Sequence, residues 1–249
     1  MNSDRVSTMH RSGGVTVSTV VTGQRWKQNC YLLEDAASRD AIVIDPGDNA
    51  DDIWRILSDR GCRLRSILLT HGHYDHAGAA ASITRRSGLP CSLHRADART
   101  LRHAPAYGLR FEGRRVEPVE HVRLFEDGQT FPLGQAVVTA LHTPGHTPGS
   151  VVYMVDGLAL TGDTLFHRRI GRTDLPGGDV EQLAASIELL LARLDDETII
   201  LPGHGRTSTI GDVRAWWTAG GSDVSGQVSA ATRGLTPDPD RAAPAEVAR

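Results

Sequence analysis

Leu68-Leu69-Thr70-His71-Gly72-His73-Tyr74-Asp75-His76 decides how the rest of the chain is read. It follows directly on Ser66-Ile67-Leu68-Leu69, a short apolar run consistent with a buried strand. In an extended loop His71 and His73 point to one side and can grip one cation. Asp75 and His76 come where the chain turns into a helix and can grip a second. Imidazole and carboxylate suit zinc, iron or manganese. The bland alternative is a chance cluster of polar loop residues, and three histidines and an aspartate in six positions argue against it.

Working outward, three further polar clusters fall at the ends of apolar runs. Leu141-His142-Thr143-Pro144-Gly145-His146-Thr147-Pro148-Gly149 holds two histidines. His146 sits between two Pro-Gly turns that fix its direction, so it is the candidate ligand; His142 closes a strand and reads as structural. Thr161-Gly162-Asp163-Thr164 offers a carboxylate whose two oxygens can bridge two ions. Leu201-Pro202-Gly203-His204-Gly205 supplies a last histidine. The counting then closes. One site takes His71, His73 and His146, a second takes Asp75, His76 and His204, and Asp163 bridges them. Three or four protein ligands per ion leave room for water, as in catalytic rather than structural sites. Two ions about 3.5–4 Å apart acidify water and polarise a carbonyl, so no Ser or Cys nucleophile is required. Asp75 is also the candidate catalytic residue, orienting the attacking water or accepting its proton.

Composition limits the alternatives. The 249 residues suffice for one large α/β domain or two small ones, and 39% hydrophobic with 23% charged residues is the balance of a soluble globular protein. The formal net charge of −3 points to neither nucleic acid nor an anionic membrane. Locally, Arg85 to Arg115 holds eight arginines against two acids, Asp97 and Glu112. That stretch reads as a solvated surface, with steering of an anionic substrate as the sharper alternative. Three widely spaced cysteines imply no disulfide framework. No leader-like segment or membrane-length apolar run is found, so the protein reads as cytoplasmic, with no membrane partner.

Residues 1–14 read as a polar, disordered N-terminus, 15–218 as the folded hydrolase domain, and 219–249 as a disordered tail rich in Gly, Ser, Ala, Pro and Asp. Strands are expected at Val15–Val21, Cys30–Leu33, Ala41–Ile44, Ser66–Leu69, Cys91–Leu93, Val122–Phe125, Ala136–Leu141, Ser150–Val155, Leu158–Leu160 and Thr198–Leu201. Helices are expected after Asp48 or Asn49, over Ala77–Ser87, Ala96–His103, Val180–Arg193 and Ile210–Trp217. Ala104–Pro118 has no clear period and reads as a surface insertion. This order suggests two sheet halves with helices outside.

With Asp45-Pro46-Gly47, the Thr70–His76 motif, His146, Asp163 and His204 in this order, the chain resembles the metallo-β-lactamase superfamily. The resemblance implies an α/β four-layer αβ/βα sandwich with metals at the rim between two sheets. Asn29-Cys30-Tyr31-Leu32-Leu33, Gly162-Asp163-Thr164-Leu165-Phe166, Pro202-Gly203-His204 and the stretch Ile170–Asp179 look like the compact bacterial glyoxalase II branch. That likeness implies hydrolysis of a small-molecule thioester such as an S-acylated glutathione, with two zinc ions as default and iron or manganese as alternatives. It implies that Arg172, nine residues after Asp163, binds the thiol half. The C-terminal helical domain that completes the thiol site in full-length enzymes of that branch is not expected here, since only about 45 residues follow His204 and about half of them read as disordered.

Two neighbouring readings share the scaffold. A persulfide dioxygenase would use one iron on His71, His146 and Asp163. A thioesterase for carrier-protein or coenzyme A thioesters would use the same chemistry on a different thiol. A β-lactamase fits less well, since none of the cysteines lies in a metal motif. A nuclease would need a nucleic-acid domain that is not seen, and a non-catalytic module would have no need of all seven ligands. Oligomeric state is not legible.

Overall fold

The computed structural model describes residues 6–221. In chain order the strands of the first sheet are β1 (Val6–Ser12), β2 (Val15–Thr22), β3 (Gln28–Asp35), β4 (Asp40–Ile44), β5 (Arg63–Leu68), β6 (Cys91–His94) and β7 (Val122–Phe125), and they lie side by side in that order. β1 to β4 are antiparallel; β4 to β7 are parallel. Parallel neighbours need crossovers, and helices supply them. They are α1 (Ala50–Asp59), the single turn α2 (Tyr74–Ala77), α3 (Ala80–Ser87) and α4 (Ala98–Glu112).

The second sheet runs β15 (Ser208–Thr209), β14 (Ile199–Pro202), β11 (Leu158–Gly162), β10 (Val151–Val155), β9 (Ala136–His142) and β8 (Thr130–Leu133). A two-stranded ribbon, β12 (Leu165–Phe166) with β13 (Arg169–Ile170), follows β11, and α5 (Val180–Arg193) and α6 (Ile210–Trp216) cover the outer face.

Strand periodicity builds four layers from two sheets. On β3, Tyr31 and Leu33 point inward and meet Phe131, Val138, Tyr153 and Leu160 of the second sheet. Cys30 and Leu32 point outward and meet Ile53, Leu57, Ile83 and Leu101 of the helices. On the far side Val152, Ala159 and Ile200 pack on Leu183, Ile187, Leu190 and Val213. This is the αβ/βα sandwich that the sequence implied. Each fully buried Leu or Ile stabilises it by roughly 1.5–3 kcal/mol.

Several expectations change. Val6–Ser12 was read within a disordered N-terminus, but it is strand β1, paired to β2 across a Gly13-Gly14 turn with Gly13 at φ 56°. A turn that needs positive φ takes glycine, and an edge strand tolerates a polar sequence. The rest of that expectation, residues 1–5, and most of the tail, 222–249, lie outside the described residues. Ala104–Pro118 is no insertion. α4 runs through Pro105 and Gly108 to Glu112, burying Leu101, Ala104 and Gly108, and Gly113 closes it at φ 65°. Proline and glycine hid a period that packing against Val116 enforces. β8, an edge strand that tolerates Pro132, and the short β12, β13 and β15 were too brief to be read from pattern. No helix among the described residues is long and apolar enough to cross a membrane.

Candidate metal centre

Four chain segments meet at one rim. The loop after β5 carries His71, His73, Asp75 and His76; the β9–β10 loop carries His146; Asp163 follows β11; His204 follows β14. All seven expected ligands come together. Their ligand atoms form three groups, each within 4.8 Å: His71, His73 and His146; Asp75, His76 and His204; and His71, His76 and Asp163. The first two are the sites expected from sequence. The third links them through Asp163.

His146 Nε2 lies 3.3 Å from His71 Nε2 and 3.0 Å from His73 Nδ1. His204 Nε2 lies 3.3 Å from His76 Nε2 and 3.3 Å from Asp75 Oδ2. Asp163 sends Oδ1 to 3.3 Å from His76 Nε2, and Oδ2 to 3.7 Å from His146 Nε2 and 3.6 Å from His204 Nε2. Ligands at about 2.0–2.1 Å around a tetrahedral ion sit roughly 3.3–3.4 Å from one another. The donor set therefore has the spacing of ions that it could hold.

The outer nitrogens show which lone pairs face inward. His76 Nδ1 is 2.8 Å from Asp45 Oδ2, His146 Nδ1 is 2.8 Å from the Arg172 carbonyl, and His204 Nδ1 is 2.8 Å from the Lys27 carbonyl. Carbonyl and carboxylate oxygens accept only, so these Nδ1 atoms donate, and in the neutral imidazole each inward Nε2 carries the lone pair. His71 Nδ1 reaches Thr70 Oγ1 at 3.1 Å, and that hydroxyl already donates to Asp45 Oδ2 at 2.6 Å. In their neutral forms these imidazoles turn several lone pairs toward one another. Asp163 Oδ1 is buried without a hydrogen-bond partner of good geometry. Such a cluster is unfavourable until a cation or protons fill it, so the residues fit a divalent metal pair.

Electrostatics agree. Burial disfavours charge on His76, yet Asp163 and Asp45 outweigh it and raise its pKa well above the usual histidine value. Burial would raise Asp163, but His204, His76 and His146 hold it well below the carboxylate range. Burial, with neighbouring His146 adding to it, lowers His73 to about 3. Asp75 is raised by burial, then brought to about 2 by the hydrogen bond and charge of His204 and by His76. Metal uptake at such a site displaces protons. The three-histidine side is closed, with His71, His73 and His146 at most 8% exposed. The Asp75–His204 side is open, at 18% and 19%.

Three supporting residues were not assigned roles from sequence. Asp45, noted in the sequence only as part of Asp45-Pro46-Gly47, is buried at φ 51° and accepts from the Thr70 amide at 2.7 Å as well as from Thr70 Oγ1 and His76. Asp97, read as an acid among arginines, is fully buried. Its Oδ2 accepts from the Gly72 amide at 2.6 Å and from Thr147 Oγ1 at 2.9 Å; its Oδ1 accepts from the Gly149 amide at 2.9 Å. One carboxylate thus joins the His71–His73 loop to the His146 loop. No local signal marks this link, because the groups it joins, the Gly72 and Gly149 amides and the Thr147 hydroxyl, lie far from Asp97 in sequence. Lys27 and Arg172 contribute carbonyls, which side-chain reading cannot find. Arg172 does lie beside the centre, but its guanidinium grips Asp174 through Nε and NH2, both at 2.6 Å. His142 is no ligand: it donates to the Pro148 carbonyl at 2.8 Å and stacks on His94 at 4.1 Å.

A four-layer sandwich with a paired histidine–carboxylate centre at its rim defines a class of metal-binding hydrolases. The chain belongs to the metallo-beta-lactamase superfamily, whose family model matches residues 23–204. Relatives include an uncharacterised protein of Mycobacterium leprae, 43% identical over 75% of this chain and 90% of that one. Another is the Haemophilus influenzae hydroxyacylglutathione hydrolase GloC, 36% identical over 75% of this chain and 89% of its own, in keeping with the likeness to the glyoxalase II branch. Among solved structures, TTHA1623 in a di-iron-bound form superposes with a TM-score of 0.71 at 35% identity, covering 79% of this chain and 96% of its own.

Proposed function

We infer that the chain is a metal-dependent thioesterase that cleaves S-acyl thiol conjugates of the hydroxyacylglutathione kind. The observation that carries this reading is the pair of adjoining ligand groups sharing Asp163, open only on the Asp75–His204 side. Two divalent cations held by His71, His73, His146 and by Asp75, His76, His204, with Asp163 between them, would acidify a water molecule and polarise the thioester carbonyl. Zinc is the default, and iron or manganese suit the same donors. The relatives' names support the hydrolytic class.

The protein's own groups do the rest. Asp45, Thr70 and the carbonyls of Lys27 and Arg172 lock the imidazoles in one tautomer and direction. Asp75, held near 2, stays ionised at neutral pH. So weak a base orients the attacking water through a hydrogen bond rather than storing its proton. Water adds to the carbonyl carbon, the carbon–sulfur bond breaks, and the products are a carboxylic acid and a thiol. Arg172 remains the candidate contact for an anionic thiol half, since Asp174 engages only its Nε–NH2 edge. The single-iron persulfide dioxygenase reading leaves Asp75 and His204 without a task.

The test is a substrate panel on protein of known metal content: lactoylglutathione, acyl-coenzyme A, a chromogenic β-lactam, and glutathione persulfide with oxygen uptake. Thioester cleavage with about two transition metals per chain is expected. Active protein without transition metal, or oxygen consumption in place of thioester cleavage, would overturn the reading.

A further inference from the structure

The arginine-rich stretch divides into two populations. Arg85, Arg86, Arg95 and Arg114 are each paired, with Glu117, Asp51, Glu126 and with Asp48 and Glu112 respectively. Among the described residues Arg99, Arg102, Arg110 and Arg115 form no ion pair. All four are exposed, and the first three lie on α4. At about 100° per residue, Arg99, Arg102, His103, Ala106, Leu109 and Arg110 fall on one side of that helix, and all six are exposed. The face carries no acid, in a chain whose acids outnumber its basic residues, 30 to 27.

This face is not simply polar. Leu109 is 55% exposed and Trp26 45%, two of the three exposed large hydrophobic residues among those described. Trp26 stands near the C-terminal end of that helix, because the Arg25 guanidinium lies over its ring at 5.7 Å and donates to the Phe111 carbonyl at 3.4 Å. Arginine and tryptophan with an apolar anchor are the residue types enriched at protein–protein interfaces.

The face also adjoins the metal centre. Phe111 stacks on Tyr74, which stands between His73 and Asp75, at 6.2 Å between ring centres. The next residue after Trp26, Lys27, supplies the carbonyl that orients His204. Both ends of the contact lead to the open side of the centre.

Span decides what this face could recognise. Arg99 and Arg110 are eleven residues apart on a helix, about 16 Å. A tripeptide thiol, even fully extended, reaches only about 10–11 Å. A small thiol conjugate bound at the metals cannot neutralise both ends of the face. A duplex nucleic acid would suit a wider, purely cationic surface than one helix with Leu109 in it.

We propose that the exposed face of α4, with Trp26, docks an acidic carrier protein that presents its acyl thioester on a flexible phosphopantetheine arm to the metal centre. The proposal rests on the thioesterase reading for its chemistry and puts a carrier-borne phosphopantetheine in the place that reading gives to glutathione. The carrier's acidic helix faces Arg99, Arg102 and Arg110, Leu109 and Trp26 take its apolar residues, and the arm enters beside Tyr74. Docking through long-range charge acts chiefly on the association rate and weakens with salt.

The experiment compares an acylated acyl carrier protein with the same acyl group on free pantetheine, using metal-loaded enzyme. A second readout is calorimetric binding of a carrier whose acyl group is amide-linked and cannot be hydrolysed. The wild type should prefer the carrier thioester by kcat/KM. The triple variant Arg99→Glu, Arg102→Glu, Arg110→Glu should lose that preference, about tenfold or more, with pantetheine cleavage unchanged. Leu109→Ser should weaken binding of the amide-linked carrier. No preference in the wild type, or equal loss on both substrates, overturns the docking surface. Arginine-dependent binding of a short DNA duplex in place of the carrier overturns it too. If neither thioester is cleaved, the thioesterase reading fails, while the amide-linked carrier still decides whether the face binds.

Discussion

The Oδ2 atom of Asp97 lies 2.6 Å from the amide nitrogen of Gly72, the residue between the candidate ligands His71 and His73. The same carboxylate takes Thr147 Oγ1 and the Gly149 amide from the loop that carries His146. One buried carboxylate thereby ties together the two loops that bring His71, His73 and His146 into one group.

Replacing Asp97 with Asn should separate these loops. A buried charged acceptor of several hydrogen bonds becomes a neutral amide with one acceptor. Hydrogen bonds to charged groups are worth about 1.5–3 kcal/mol each, so a loss of roughly 2–3 kcal/mol in denaturant unfolding is expected. Metal analysis should show that the three-histidine site is depleted before the other. An unchanged metal content would mean that the loops hold their places without Asp97.

Asp163→Ala removes the carboxylate shared by both groups. Metal content and thioester cleavage should fall together, and the far-ultraviolet circular dichroism should persist because the strands around it keep their apolar contacts. Full metal content in this variant would assign the bridging role elsewhere.

Gly203→Ala tests the packing of the centre without touching a ligand. A methyl group there would lie 2.3 Å from Asp163 Oδ1 and 2.6 Å from His76 Cε1. Something must shift, and both neighbours hold metal in the inferred site. A loss of metal affinity of at least about tenfold, or 1.4 kcal/mol, is expected by competition with a chelator.

Arg172→Ala leaves the carbonyl that orients His146 in place and removes only the guanidinium. KM for a thioester with an anionic thiol half should rise more than kcat falls. A fall in kcat alone would move Arg172 out of the thiol site.

The thiols give a pH-dependent expectation. Burial and the adjacent Glu34 carboxylate, which accepts its hydrogen at 2.5 Å, together raise the Cys62 thiol to about 12. Burial also raises Cys30 and Cys91. Because the thiolate is the reactive form, a raised pKa leaves all three as thiols at pH 8. Intact-mass analysis after iodoacetamide at pH 8 should show unmodified native protein and three additions after unfolding. Rapid native labelling of Cys62 would contradict the buried contact with Glu34.

Much of this molecule was legible in its sequence. His71, His73, Asp75, His76, His146, Asp163 and His204 stood out because metal chemistry demands side chains of few types, each placed just after an apolar strand run. The same runs and helical periods such as Val180–Arg193 suggested two sheet halves with helices outside, and the family resemblance implied the four-layer sandwich. The tertiary structure alone decided three things. It made Val6–Ser12 a strand, since edge pairing needs a partner and a turn rather than an apolar pattern. It carried α4 through Pro105 and Gly108, since packing on Val116 outweighs local propensity. It enlisted Asp97 and the carbonyls of Lys27 and Arg172, whose partners lie far along the chain. Sequence determines which groups can bind a cation. Only the fold decides which backbone atoms aim them, because every residue carries the same amide and carbonyl.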